Sequence, residues 1–366
     1  MTIASWLRLP PRRGSVAAFL TFGAGWLYGL SDPLPAAGLF AWLLGVIIWL
    51  AFGVVHEAEE LAHMLGEPFG TLILTLAIVI IEVALIAAVM LGAKDAPTLG
   101  RDTMFAVLMI VLNGVVGLGL LLGGLRHFEQ THNLQGASAY LAVIIPLTVI
   151  ALVLPNFTTS TGGGTLSPMQ AVVFSVLTIA LYGIFLVLQT GRHRGYFIDP
   201  ADAAEAAVAP ATPPAAGTVA WHVLLLLANI LPIVILSKSL AAVLDFGIAA
   251  LGAPPALGGV LIAMVVFTPE GISALRAIAA NQLTRAVNLC LGAATSTLGL
   301  TVPAVLVIGL ATGQAVTLGL SPANMVLLVT TLILSALTFS GPRTTMLEGA
   351  VHLVLFGVFF VLIFSP

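Results

Sequence analysis

The chain has 366 residues, of which 60% are hydrophobic and 7% charged, with a mean hydropathy of +1.15 and a net charge of −3. A soluble domain carries about 25% charged residues, so this much apolar surface excludes a water-soluble fold and points to an integral membrane protein. The small net charge argues against a nucleic-acid partner, and one cysteine, Cys290, excludes an internal disulfide.

The N-terminal stretch "MTIASWLRLPPRRGSVAAFLTFGAGWLYGL" places arginines before an apolar run. It lacks a small-x-small cleavage site and is expected to be a retained first helix over 15–31. Apolar runs of spanning length follow at about 36–55, 69–92, 103–125, 138–155, 168–190, 219–237, 256–279, 287–311, 322–340 and 346–365. The expected fold class is an all-α polytopic membrane protein of about eleven transmembrane helices. Between the sixth and seventh, "GRHRGYFIDPADAAEAAVAPATPPAAGT" (191–218) reads as a flexible linker. With the N-terminus in the cytoplasm, Arg8, Arg12, Arg13, Arg126, Arg192, Arg194, Arg276, Arg285 and Arg343 fall on the cytoplasmic side. Only Lys94, Arg101 and Lys238 fall outside. That bias places the linker in the cytoplasm and the C-terminus outside.

Two stretches match each other. "LGEPFGTLILTLAIVIIE" (65–82) and "LGAPPALGGVLIAMVVFTPE" (251–270) both run from Leu-Gly-x-Pro through glycine and apolar residues to a glutamate. Each glutamate falls on the second helix of a five-helix group. Five is odd, so the groups are expected to insert in opposite directions, as two inverted five-helix repeats. The expected organisation is an N-terminus and extra helix (1–35), a first repeat (36–190), the cytoplasmic linker (191–218) and a second repeat (219–366).

Most acidic residues fall in loops or at helix ends in this reading, including Glu57, Glu59, Glu60, Glu67, Asp245 and Glu348. Glu82 and Glu270 alone lie well inside a span. An ionised acid there costs about 2.5–3.5 kcal/mol by insertion scales, a cost one substitution would remove. A carboxylate in low dielectric binds a proton easily, and a cation displaces that proton. Two such groups suit a hard cation, which takes oxygen ligands. Thr75 lies two turns before Glu82, and Thr71 three turns. Asn113 is the lone amide of the next span. Thr268 and Ser273 flank Glu270, whose neighbour Pro269 frees a backbone carbonyl one turn back. Thr295, Ser296 and Thr297 follow in mid-span, although single hydroxyls in such helices usually bond to their own backbone. Glu57, Glu59 and Glu60 read as the wet face of a short cytoplasmic helix, and His352 as packing at a helix end. "HEAEELAH" misses the His-Glu-x-x-His spacing of a zinc protease. With no nucleophile motif and no histidine cluster in the spans, an enzyme is not expected. Two halves favour a carrier over a channel.

The stretches "EELAHMLGEPFGTLILTLAIVIIEVALI", "LLLGGLRHFEQTHN", "TPEGISALRAIAANQLTRAVNLCLGAATSTLGLTVPAV" and "GPRTTMLEGAVHLVLFGVFFVLIF" resemble the calcium/cation antiporter superfamily, in its cation/proton exchanger branch. The resemblance implies alternating access in a cell inner membrane and exchange of calcium, sodium or potassium for protons. It implies a central site with one glutamate from each repeat, Glu82 and Glu270. The polar residue on the following helix is then Asn113 in the first half and falls near Ser296, beside Thr297, in the second. Many members place Gly-Asn before the first glutamate; this chain has "IVIIE", which leaves sodium or potassium open as the main ion. The runner-up is a sodium–calcium exchanger without proton coupling. No cofactor is called for. The expected partners are inorganic cations, protons and the lipid bilayer, with a homo-oligomer left open.

Overall fold

A computed structural model describes residues 33–65, 69–92, 97–198 and 216–365. The expected helix at 15–31 lies outside them, as do Glu67 and Pro68. Ten helices run through the described residues: α1 Pro33–Leu65, α2 Phe69–Gly92, α3 Leu99–His127, α4 Leu134–Asn156, α5 Pro168–Thr190, α6 Ala216–Leu251, α7 Ala256–Ala279, α8 Leu283–Thr312, α9 Pro322–Thr338 and α10 Met346–Phe364. Eight are long and apolar enough to cross a membrane, and Leu76–Ala88 of α2 and all of α9 are shorter apolar stretches. The chain is therefore a helical, polytopic membrane protein. Two-residue strands, β1 (Gln130–Thr131) and β2 (Arg343–Thr344), form an antiparallel clip between α3 and α10.

Two boundaries differ from the sequence reading. The first described helix runs on to Leu65, so Glu57, Glu59 and Glu60 are helical rather than in a loop. Hydropathy drops there, but "HEAEELAHML" holds no glycine or proline to stop a helix. Glu57 does not belong to a wet face: it is 2% exposed and pairs with His222 Nδ1 at 2.6 Å. Likewise α6 continues past 237 to Leu251, which puts Lys238 and Asp245 inside a helix. The start of the linker is ordered as well. Phe197 packs edge-on against Tyr140, its carbonyl accepts from Asn288 Nδ2, and a 3-10 turn spans Arg194–Tyr196.

The helices form two compact units. In the first, α1 packs along α6, and α2 contacts both. Gly53 gives the close approach there: a Cβ on it would meet Asn229 Oδ1 at 2.7 Å. The second unit holds α3 to α5 and α7 to α10. Its core runs through Met104–Leu112, Tyr140, Ile144, Phe267, Ala294 and Leu298. One end is tied by Arg101 Nη1 donating to the Gly319 carbonyl and Asn156 Nδ2 to that of Leu320. Elsewhere Gln130 Nε2 donates to Ile278 O and Asn281 Oδ1, which fixes the C-terminus of α7. Helix starts follow capping chemistry. Ser167 and Thr345 close capping boxes with Gln170 and Glu348, and Ser321 caps α9.

Candidate cation site

In the first unit, α2 turns Leu76 and Ile80 outward and Ile81, Leu85 and Ile86 inward. Glu82 lies with the inward set, 1% exposed. Thr75 is on the same helix, but its side chain, like that of Thr71, lies outside the described residues.

The second unit holds the remaining candidates. Glu270 is 7% exposed on α7, which stays helical through Pro269. Pro269 has no N–H, so the Val265 carbonyl, one turn back, receives no bond from it. Next to Glu270, Gly271 faces α3: a Cβ there would lie 3.4 Å from Val115. α7 thus packs against the π-helical turn of α3, Met109–Val115, which carries Asn113. Such a turn displaces a helix from its 3.6-residue register and occurs often at functional sites. Two others occur among the described residues: Val149–Val153 in α4, and Thr297–Thr301 near the middle of α8, the helix after Glu270. Ser296 and Thr297 sit at the start of the α8 turn, both buried.

The hydroxyls divide into two kinds. Thr268 Oγ1 donates to Met264 O, Thr295 Oγ1 to Leu291 O and Ser296 Oγ to Ala293 O, each within its own helix. Ser273 is half-buried on the α7 turn after Glu270. Asn113 behaves differently. It is fully buried, its Nδ2 donates to Thr331 Oγ1 of α9 at 2.8 Å, and its Oδ1 lies 3.0 Å from His352 Nδ1 of α10. His352 Nε2 is in turn 3.0 Å from Thr338 Oγ1. His352, read from sequence as helix-end packing, is therefore the middle of a buried polar chain and fully shielded from solvent.

Sequence reasoning missed Thr331 and Thr338. Their signal is present: Thr331, Ser335 and Thr338 recur at i, i+4 and i+7, a buried hydroxyl stripe on a mostly apolar helix.

Glycines bring α10 to α3. A Cβ on Gly117 would lie 2.9 Å from His352 Cβ, one on Gly114 would lie 3.0 Å from the Phe356 ring, and one on Gly349 would lie 2.7 Å from the Gly117 carbonyl. This small-residue seam lets His352 reach Asn113 across the helix pair.

The model of the family described as sodium/calcium exchanger protein matches residues 35–191 and 221–365. The chain is 39% identical to the sodium-potassium/proton antiporter ChaA of Escherichia coli, over 93% of this chain and 92% of that protein. It is 26% identical to a Ca(2+)/H(+) antiporter of Synechocystis, over 93% of this chain and 92% of that one. Among solved structures, native YfkE superposes with a TM-score of 0.73 at 18% identity, covering 97% of this chain and 98% of that one, a likeness of fold. Matched by that family model along both halves, the chain belongs to the sodium/calcium exchanger family, and it is a cation antiporter rather than an enzyme.

Proposed function

We propose that the protein exchanges a cytoplasmic cation for protons by alternating access, with Glu82 and Glu270 binding cation and proton in competition. One observation carries this reading: each lies in mid-helix on an apolar span, at 1% and 7% exposure. Keeping an acid there has a continuing cost, and proton–cation competition uses the same low dielectric that creates it. In this reading the further oxygen comes from Thr75 on the helix of Glu82, and from Asn113, Thr268, Ser273, Ser296 and Thr297 in the unit that holds Glu270. The π turns in mid-helix on α3 and α8, each the helix after a buried glutamate, support two related halves, and five helices in each would insert them in opposite senses; the arginine bias of the sequence supports a cytoplasmic N-terminus and an external C-terminus. The names of the relatives support calcium, sodium and potassium as the exchanged ions.

The cycle follows from charge. Doubly protonated, the site is neutral and reorients. Deprotonation creates an anionic cage that takes the cation, and an inward proton gradient drives the cation out of the cell.

Everted vesicles carrying a pH dye, given calcium, sodium and potassium in turn, test this. The expected result is alkalinisation of the vesicle lumen by at least one of the three, abolished in Glu82→Gln and in Glu270→Gln with normal expression. Wild-type rates in either variant refute the carboxylate roles. Sodium-driven calcium flux with no dye response replaces proton exchange with sodium–calcium exchange.

A further inference from the structure

The Asn113 carboxamide has few open valences. One Nδ2 hydrogen goes to Thr331 Oγ1, and Met109 Sδ lies 3.5 Å from the same nitrogen. With Nδ2 used as donor, Oδ1 is left to accept, so His352 carries its proton on Nδ1 and donates it there. The other ring nitrogen, Nε2, then accepts from the Thr338 hydroxyl. Turning the amide over reverses every direction: Nδ2 would face the ring, and the ring would need its proton on Nε2. The Leu112 backbone carbonyl is a further acceptor at the ring, and the orientation of Asn113 and the tautomer of His352 are coupled through their shared bond. In the observed arrangement Oδ1 keeps one lone pair uncommitted, the only oxygen valence this side chain can offer a cation.

A packing role does not explain the imidazole. Beyond His352 α10 is apolar, with Leu355, Phe356 and Phe359 following; one turn before it Glu348 is engaged in the capping box with Thr345, so a leucine at 352 would fill the space without polar atoms to satisfy. Instead both ring nitrogens are matched to partners on two other helices, and Gly117 leaves the room for the side chain.

We propose that His352 is a positioning residue of the transport site: its Nδ1–H holds the Asn113 carboxamide with the oxygen presented in one direction, and so sets how tightly the site takes its cation. This rests on Asn113 belonging to the cation site. Thr338 fixes the ring from behind, and Thr331 fixes the amide from the other side.

Purified protein in liposomes, with the cation that gives the wild-type dye response, tests this through the half-saturating concentration and the maximal rate. His352→Leu raises half-saturation about tenfold while the maximal rate stays within about twofold. His352→Asn places an amide N–H where Nδ1 was and recovers most of the affinity; His352→Gln reaches only the Nε2 position and does not. Adding His352→Leu to Asn113→Ala changes half-saturation by less than about twofold, because the group to be positioned is gone. Should His352→Leu not yield monodisperse protein, Thr338→Val gives the same signature at about threefold.

Equal loss in Leu, Asn and Gln variants, or a fall in maximal rate alone, overturns the positioning role. A rise in half-saturation for Asn113→Ala without one for the His352 variants also overturns it, and leaves Asn113 in the site. Unchanged half-saturation in Asn113→Ala removes Asn113 from the site and the proposal with it, while the two glutamates remain tested by their own variants.

Discussion

Helices α3 and α8 begin alike and end differently. Each follows a helix with a buried glutamate, and each carries a π-helical turn in mid-helix with polar residues on it. On α3 the polar group is an amide bound to side chains of α9 and α10. On α8, Thr295 and Ser296 donate to carbonyls of their own helix. A hydroxyl bonded to its own turn can rotate toward an arriving ion at the loss of one weak bond. An amide anchored at both ends cannot turn without rearranging three residues on three helices. One half of the unit therefore holds a rigid oxygen and the other holds adaptable ones. A site that must bind a cation and then release it to a proton has use for both.

The largest expected effect comes from breaking the seam that makes α3 rigid. A methyl at Gly349 collides with the Gly117 carbonyl and the Leu121 backbone, which cannot swing aside as a side chain does. Gly349→Ala is expected to destabilise the protein by about 3 kcal/mol, the upper end of overpacking costs. On α8, a Cβ at Gly292 would meet Tyr140 Oη at 3.5 Å, an ordinary contact. There the better helix propensity of alanine makes Gly292→Ala neutral or stabilising by up to about 1 kcal/mol. Thermal unfolding in detergent of the two variants side by side measures the contrast. Equal shifts would mean that the α3–α10 approach is not close.

A smaller contrast tests the hydrogen bonds themselves. Thr331→Val keeps the shape and removes the acceptor of Asn113 Nδ2, which leaves a buried donor unmet at about 1–3 kcal/mol. Thr295→Val removes a bond to Leu291 O, a helical carbonyl that also has its backbone position in the helix, and is expected to cost less than about 1 kcal/mol. Denaturant or thermal midpoints distinguish them. A Thr331→Val protein as stable as Thr295→Val would show that the amide finds another acceptor.

The same contrast explains what was legible in the sequence. α2 and α7 have the bounds read from hydropathy, 69–92 and 256–279: Pro68 precedes one in the sequence and Pro254 and Pro255 the other, and α7 stops just before Asn281, whose φ of 61° leaves the helix. α1 and α6 run on by ten or more residues because a helix does not end where charge begins; it ends where the backbone is broken. Glu82, Glu270 and Asn113 stood out because a lone polar residue in an apolar span is costly. The partners of Asn113 did not, since Thr331 and His352 lie 218 and 239 residues further along the chain and meet it only through packing. Glu57 and His222 were hidden the same way, 165 residues apart.

The weakest expected effect separates two buried histidines. His352 has a hydrogen-bonding partner at each ring nitrogen. His132, in the turn between α3 and α4, is packed edge-on against Phe339 with ring centroids 5.3 Å apart. Burial lowers its pKa, with the Phe339 backbone opposing in part. The unfolded chain then takes up this proton first as pH falls, near the ordinary histidine value of about 6.5, while the folded chain resists it. The stability contributed by the neutral ring is complete above that value and declines as pH drops below it. In His132→Phe the aromatic contact remains and the titration is gone. The midpoint of wild type relative to this variant is expected to fall between about pH 8 and about pH 5, with the change confined to the acidic half of that range. A constant difference across the range would mean that His132 is protonated as readily in the fold as outside it, and that burial does not govern its charge.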